Sequence, residues 1–196
     1  ETEDYYTMWA HQIKTPIAAM RLLLQEEDTP ENAALSAELF SIEQYVEMAL
    51  NYLRVEDISS DLSFKKHAVD DMVRQVIRKY AKIFISKKTK MNFKPTGSYI
   101  VTDDKWFVFV LEQLISNALK YTKQGQISIY MEDKSLVIED SGIGIPAEDP
   151  PRIFEKGFTG SNGRNGKKST GMGLYLWRRL CEKLGIAIEA ESVCGE

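Results

Sequence analysis

A histidine at position 11, a threonine four residues on and a proline directly after it make the first spacing in this 196-residue sequence that suggests chemistry. Residues four apart share a helix face, so Thr15 stands one turn beyond the His11 imidazole, a group able to act as nucleophile or proton carrier near neutral pH. Asn117 and Lys120 form a second pair, three residues apart. The first offers a hard carbonyl oxygen of the kind Mg²⁺ accepts beside phosphates and water, the second a cation on the same face, and Tyr121 adds a flat ring. In Asp140-Ser141-Gly142-Ile143-Gly144-Ile145 a carboxylate follows an apolar stretch and precedes two glycines. A carboxylate at a strand end can accept a proton from an exocyclic amine, while glycines let the backbone approach a ring without a Cβ in the way. Gly171-Met172-Gly173-Leu174 can open a helix whose unpaired amides suit phosphate, and Arg164, Lys167 and Lys168 precede it. Singly, each has an ordinary explanation: a surface histidine, a polar helix edge, a capped turn, a solvated basic loop.

The elements that must position these residues are legible in the periodicity. Tyr6, Ala10, Ile13, Ile17, Met20 and Leu24 repeat at alternating spacings of four and three, the stripe of a packing helix. Ala10 and Ile13 lie on that stripe, so His11 falls beside it and faces solvent. Thr29-Pro30 reads as an N-cap and first helical residue, opening a second helix with the stripe Leu35, Leu39, Ile42, Val46, Ala49 and Leu53, ending near Glu56. One seam is too little core for such a hairpin, so pairing of two hairpins into a four-helix bundle is expected.

After a short polar connection, Ile58 to Ser63, the pattern changes to short alternating segments, which places a boundary between residues 1–57 and 62–196. Strands are expected at Leu62–Val69, Lys90–Lys94, Tyr99–Thr102, Gln126–Met131, Leu136–Glu139 and Ile186–Glu191. Helices are expected at Asp70–Phe84, Asp104–Tyr121 and Gly171–Leu184, with a loop from Gly157 to Thr170 before the last. The fold class is α+β: an antiparallel helical hairpin followed by an α/β sandwich.

Composition narrows the partners. A net charge of −4 gives no basic excess for nucleic acid and no polybasic membrane patch. Cys181 and Cys194 are too few for a disulfide framework and lack metal-site spacing. The longest apolar run, Trp106 to Leu111, is far short of the roughly 20 residues that cross a bilayer.

His11-Gln12-Ile13-Lys14-Thr15-Pro16 resembles the H-box of bacterial sensor histidine kinases. Glu112 to Tyr121 resembles the N-box of the Bergerat-type ATP-binding fold, Asp140 to Pro146 its G1 box, Ile153 to Phe158 its F-box and Gly171 to Leu174 its G2 box. These five motifs stand in the family's order and span nearly the whole chain. The resemblance implies ATP and Mg²⁺ as cofactors, with the metal on Asn117. It implies nucleotide binding by Asn117, Lys120, Tyr121, Asp140, Gly142, Gly144, Ile145, Phe154, Phe158, Gly171, Gly173 and Leu174. His11 would take the γ-phosphoryl group, with Gln12 and Thr15 as helpers, and pass it to a response-regulator receiver domain. It also implies a homodimer through the hairpin. Trp9 to Ile17 is similar to the intramembrane-sensing, antibiotic-responsive kinases of Gram-positive bacteria. That likeness implies a cytoplasmic portion of a membrane-anchored protein, a membrane transporter as partner, and a last strand cut short.

Two positions depart from the patterns. The residue after the family's histidine is usually acidic, but here Gln12 can orient a ring N–H without accepting its proton. Relatives of the ATP-binding fold that hydrolyse ATP carry a glutamate one turn before the magnesium asparagine, where this chain has Gln113; a neutral amide cannot be a general base. A Bergerat-fold ATPase or serine kinase would leave the hairpin unexplained. A nucleotide-binding pseudokinase adaptor has only Gln12 in its favour.

Overall fold

The computed structural model describes residues 2–27, 29–55, 62–158 and 173–193. The chain divides into two compact units, Glu1–Ile58 and Ser59–Glu196.

The first unit is a pair of helices, α1 (Thr2–Leu24) and α2 (Pro30–Val55). Thr29 caps α2 through its side-chain oxygen, which accepts from the Asn32 amide at 3.1 Å, and Pro30 takes the first helical position. The helix α1 runs through Pro16 without interruption. Ile17 is buried and Ile13 and Leu24 half-buried, as the stripe requires, although Met20 is exposed. The α2 stripe needs correction. Leu39 is buried and Val46 half-buried, but Ala49 is exposed and Leu35 and Ile42 are 55% and 49% exposed. The residues of α2 buried among the described side chains are Leu39, Gln44 and Leu50, and Glu43 is paired to Arg21 of α1. Two helices meet along one seam, so a heptad broader than that seam leaves part of its apolar surface outside.

The second unit contains β1 (Lys65–Ala68), α3 (Val69–Ser86), β2 (Lys90–Phe93), β3 (Tyr99–Thr102), α4 (Asp104–Tyr121), β4 (Gln126–Glu132), β5 (Ser135–Asp140) and α5 (Gly173–Leu184). Antiparallel β1 and β3 form one small sheet; a second has the order β2-β4-β5, parallel between the first two strands and antiparallel between the last two. Asp133 and Lys134 turn the β4–β5 hairpin with positive φ at both central residues, the geometry that matches strand twist.

Buried Ile127 and Ile129 of β4 face the same side as Met91 and Phe93 beside them. The helix α4 packs against α3, α5 and β5, and its run Phe107–Gln113 is buried all round, as a central helix demands. Met72, Val73, Val76, Tyr80 and Phe84 form the core stripe of α3; Leu176, Trp177, Leu180, Cys181 and Leu184 form that of α5.

Two strand expectations fail. The ladder of β1 begins at Lys65 rather than Leu62, because the Ser63 amide donates to Asp103 Oδ2 at 2.9 Å instead of to a neighbouring strand. Residues 186–191 enter no ladder among the described residues. The Ile186 amide closes α5 on the Cys181 carbonyl at 2.9 Å, and the chain then runs on without regular structure, Ile186 and Ile188 half-buried between exposed neighbours.

Candidate nucleotide site and phosphoacceptor

In the first unit His11, Gln12 and Thr15 are all exposed on α1. The Thr15 hydroxyl donates to the His11 carbonyl at 2.9 Å, back one turn along the helix. Pro16 has no amide to give to Gln12, four residues earlier, so the backbone loosens beside the imidazole. The hydroxyl's proton is committed, and what Thr15 presents outward is oxygen lone pairs.

The second unit gathers the other motifs around the C-terminal end of α4. Asp140 closes β5, and its Oδ1 accepts from the Gly142 amide at 2.9 Å and from the Thr122 hydroxyl at 3.4 Å. Both bonds fall on one oxygen, which orients the carboxylate and leaves Oδ2 for an incoming donor. Gly142 is required by space. A Cβ there would sit 2.5 Å from Asp140 Oδ1 and 2.8 Å from the Tyr121 carbonyl oxygen. Gly144 adopts φ of +70°.

The loop from 141 to 145 is tied through its odd-numbered amides. Ser141 donates to the Gln126 carbonyl at 3.0 Å, Ile143 to the Tyr121 carbonyl at 3.3 Å and Ile145 to Ser192 Oγ at 2.8 Å. In return Ser141 Oγ accepts from the Gln126 amide at 2.9 Å.

One turn before Tyr121, Asn117 is half-buried, and the Lys120 ammonium lies 5.3 Å from the centre of the Tyr121 ring. Lys87 Nζ donates to the Leu119 carbonyl at 2.6 Å and so holds this end of α4. A further turn back, Gln113 is 6% exposed and its amide nitrogen has no hydrogen-bond partner among the described residues. Glu112 beside it faces α3, where Lys79 binds its carboxylate at 2.7 Å.

Phe154 and Phe158 are half-buried beneath guanidinium groups, with Arg178 5.8 Å from the first ring and Arg152 4.8 Å from the second. At the start of α5 a Cβ on Gly173 would touch the Trp177 ring at 3.0 Å, and Leu174 follows half-buried.

Residues 102–195 match the model of the histidine kinase-, DNA gyrase B-, and HSP90-like ATPase family. Over 98% of its length the chain is 32% identical to the sensor histidine kinase YxdK of Bacillus subtilis, of which it covers 61%. Over 99% it is 37% identical to the sensor protein kinase GraS of Staphylococcus aureus strain JH1, covering 58%. The chain is similar to sensor histidine kinases of Gram-positive bacteria. The chain spans about three-fifths of the length of these curated relatives.

The fold agrees with that likeness. The catalytic domain of histidine kinase ThkA, 25% identical, superposes with a TM-score of 0.54 over 62% of this chain and 82% of its own. Full-length ShkA, solved in complex with AMPPNP, gives 0.62 over 93% of this chain and 41% of its own, at 21% identity. The second unit is therefore an α/β ATP-binding domain of histidine kinase type, preceded in the chain by a helical pair.

The expected residues Asn117, Lys120, Tyr121, Asp140, Gly142, Gly144 and Ile145 converge on the α4–β5 corner. Gly171, Arg164, Lys167 and Lys168 lie outside the described residues. Two members of the corner escaped the sequence reading. Thr122 is buried and bonds Asp140. Gly125 admits no Cβ, which would lie 2.2 Å from Ser141 Oγ and 2.8 Å from a Thr122 carbon. Cys181 has no place in the chemistry: burial, with the charge of Glu182, pushes its thiol up to about 11.

Proposed function

We propose that this chain is the catalytic portion of an autophosphorylating protein-histidine kinase in two-component signalling. The observation that carries the proposal is the corner where Thr122 and Gly142 orient Asp140 in a domain of the ATPase family. Asp140 Oδ2 takes the exocyclic amine of adenine, Gly142 and Gly144 let the backbone come close, and Ile145, Tyr121, Phe154 and Phe158 supply apolar contact. Gly173 and Leu174 open α5, where the first amides of a helix meet phosphate. Lys120 reaches the same groups.

Mg²⁺ fits the donor set at Asn117. No cluster of three or more acidic, histidine or cysteine side chains that could cage a metal is found among the described residues. A single carbonyl oxygen suits an ion held mainly by phosphates and water. When bound, the ion neutralises charge on the phosphates.

On α1 a neutral His11 nitrogen attacks the γ-phosphorus. An N–P bond forms as the P–O bond to ADP breaks, ADP leaves with that electron pair, and the ring sheds the proton of its other nitrogen. The Gln12 oxygen orients that N–H, and the Thr15 lone pairs hold water. Gln113 offers no base for hydrolysis, and Lys79 ties up Glu112, which supports transfer to histidine over release to water.

The phosphoryl group then passes to an aspartate of a response regulator. Exposed Leu35, Ile42 and Tyr45 on α2 support pairing of two hairpins. No helix among the described residues is long and apolar enough to cross a membrane. A cytoplasmic position, membrane anchoring and a transporter partner are part of the proposal through the resemblance of Trp9 to Ile17 to intramembrane-sensing kinases.

The test is incubation with ATP labelled at the γ-phosphate. The chain should take up label that is lost in acid, as a phosphoramidate is, and His11→Gln should take up none while still binding nucleotide. Acid-stable label, or label on His11→Gln, overturns the assignment.

A further inference from the structure

The tail after α5 reaches back to the nucleotide corner. Ser192 is separated by 47 residues from Ile145, yet its Oγ accepts the Ile145 amide proton at 2.8 Å in a part-buried contact. Besides the Gly142 amide, which bonds Asp140 within the loop's own strand end, three loop amides bond elsewhere in the fold, and this is the last of them. The other two, from Ser141 to the Gln126 carbonyl and from Ile143 to the Tyr121 carbonyl, are backbone bonds that no side-chain substitution removes. The third depends on one hydroxyl. It acts where the loop is least constrained by its own sequence, directly after Gly144 at φ +70°. Since residues 186–191 form no ladder among the described residues, the sheet does not fix this end of the loop for Ser192.

We infer that Ser192 is a positioning residue for nucleotide binding: by holding the Ile145 amide it sets the distance between the 142–145 backbone and the Asp140 carboxylate. The inference rests on the nucleotide-binding reading of that loop. Without the anchor the loop samples other positions, and nucleotide must select the competent one, which lowers apparent affinity without touching the transferred phosphate.

The experiment compares the chain with Ser192→Ala and Ser192→Thr. One neutral part-buried hydrogen bond corresponds to about a fivefold change. Ser192→Ala should weaken ATP binding about fivefold and raise KM for ATP by the same factor, with kcat at saturating ATP unchanged. Ser192→Thr, which keeps the hydroxyl, should restore wild-type binding. Hydrogen exchange of the Ile145 amide in nucleotide-free protein should be faster in Ser192→Ala than in the other two.

If wild type binds ATP and Ser192→Ala binds it equally well, the positioning role falls while the kinase reading stands. If exchange at Ile145 is unchanged in Ser192→Ala, the anchor is absent and the role falls for that reason. If Ser192→Thr binds as poorly as Ser192→Ala, the effect is structural and the inference is again overturned. If wild type binds no ATP, the functional reading and this inference fail together.

Discussion

Gln12 stands next to His11 on the exposed side of α1, and in the proposed mechanism its amide sets how much help the imidazole receives. A carboxylate hydrogen-bonded to the far ring nitrogen would stabilise the positive charge that develops as the near nitrogen attacks phosphorus. An amide oxygen can orient the same N–H but carries no full charge. Gln12→Glu should therefore speed autophosphorylation. Exposure to solvent limits the gain to about 1 kcal/mol, roughly fivefold in rate. Gln12→Leu, of similar bulk and helix propensity, should slow it by removing the acceptor. Single-turnover rates at saturating ATP for the three proteins at one pH decide the matter, and equal rates would remove Gln12 from the chemistry. At the other site the residue-level logic is steric. Asp140 can be oriented by its own loop only because residue 142 has no side chain, since a Cβ would strike both the carboxylate and the Tyr121 carbonyl. That glycine spacing was readable in the sequence. The Thr122 hydroxyl, which fixes the same carboxylate from the end of α4, was not, because nothing in a lone threonine says which strand will lie beside it.

Elements bounded by their own residues were legible, and those bounded by distant partners were not. The helix α4 begins and ends where the sequence placed it. Asp103 caps it by accepting from the Trp106 amide at 3.2 Å, three residues away, so the signal is local. The start of β1 depends on the other oxygen of that aspartate, 40 residues from Ser63, and so could not be read. The N-terminal end of α3 shows what such a distant tie contributes. Asp70 accepts from the Thr96 amide at 2.8 Å, the Thr96 hydroxyl at 2.7 Å and the Gly97 amide at 3.1 Å. Desolvation pushes its carboxyl up, but the bonds from Thr96 and Gly97 and the charge of Arg74 outweigh it, and the net shift is below the ordinary carboxylate value. A carboxyl lowered on folding contributes stability above its unfolded pKa, about 3.9, and loses it as pH falls through the folded value. Asp70→Asn should cost about 1 kcal/mol at pH 7, a drop of roughly 4 °C in Tm for a unit of this size. The difference from wild type should shrink below about pH 4 and vanish once Asp70 is protonated. Thermal melts of both proteins between pH 7 and pH 2.5 test this, and a gap that is constant with pH would show that the carboxylate charge has no part in holding the 94–98 loop.

Across the whole molecule the charge is unevenly divided. Glu1–Ile58 carries 12 acidic and 3 basic residues, a formal charge of −9, while the remainder has 17 acidic and 22 basic, a formal charge of +5. Two hairpins that pair through the exposed apolar residues of α2 must bring two such charges together, so apolar burial and like-charge repulsion oppose each other. The hydrophobic term depends weakly on moderate salt, whereas repulsion between exposed charges is screened over about 10 Å at 0.1 M. The dimer should therefore tighten as sodium chloride rises from 20 to 300 mM, opposite to an interface held by ion pairs. Ile42→Glu places a further charge where α2 is half exposed and removes the apolar contact. It should shift the chain to monomer at concentrations where wild type is dimeric, with ATP affinity unchanged because the nucleotide corner lies in the other unit. Sedimentation equilibrium across the salt series, with nucleotide titration of both proteins, measures both quantities. An association that weakens with salt would place the interface on charged groups rather than on Leu35, Ile42 and Tyr45, and an Ile42→Glu variant that remains dimeric would remove that face of α2 from the interface.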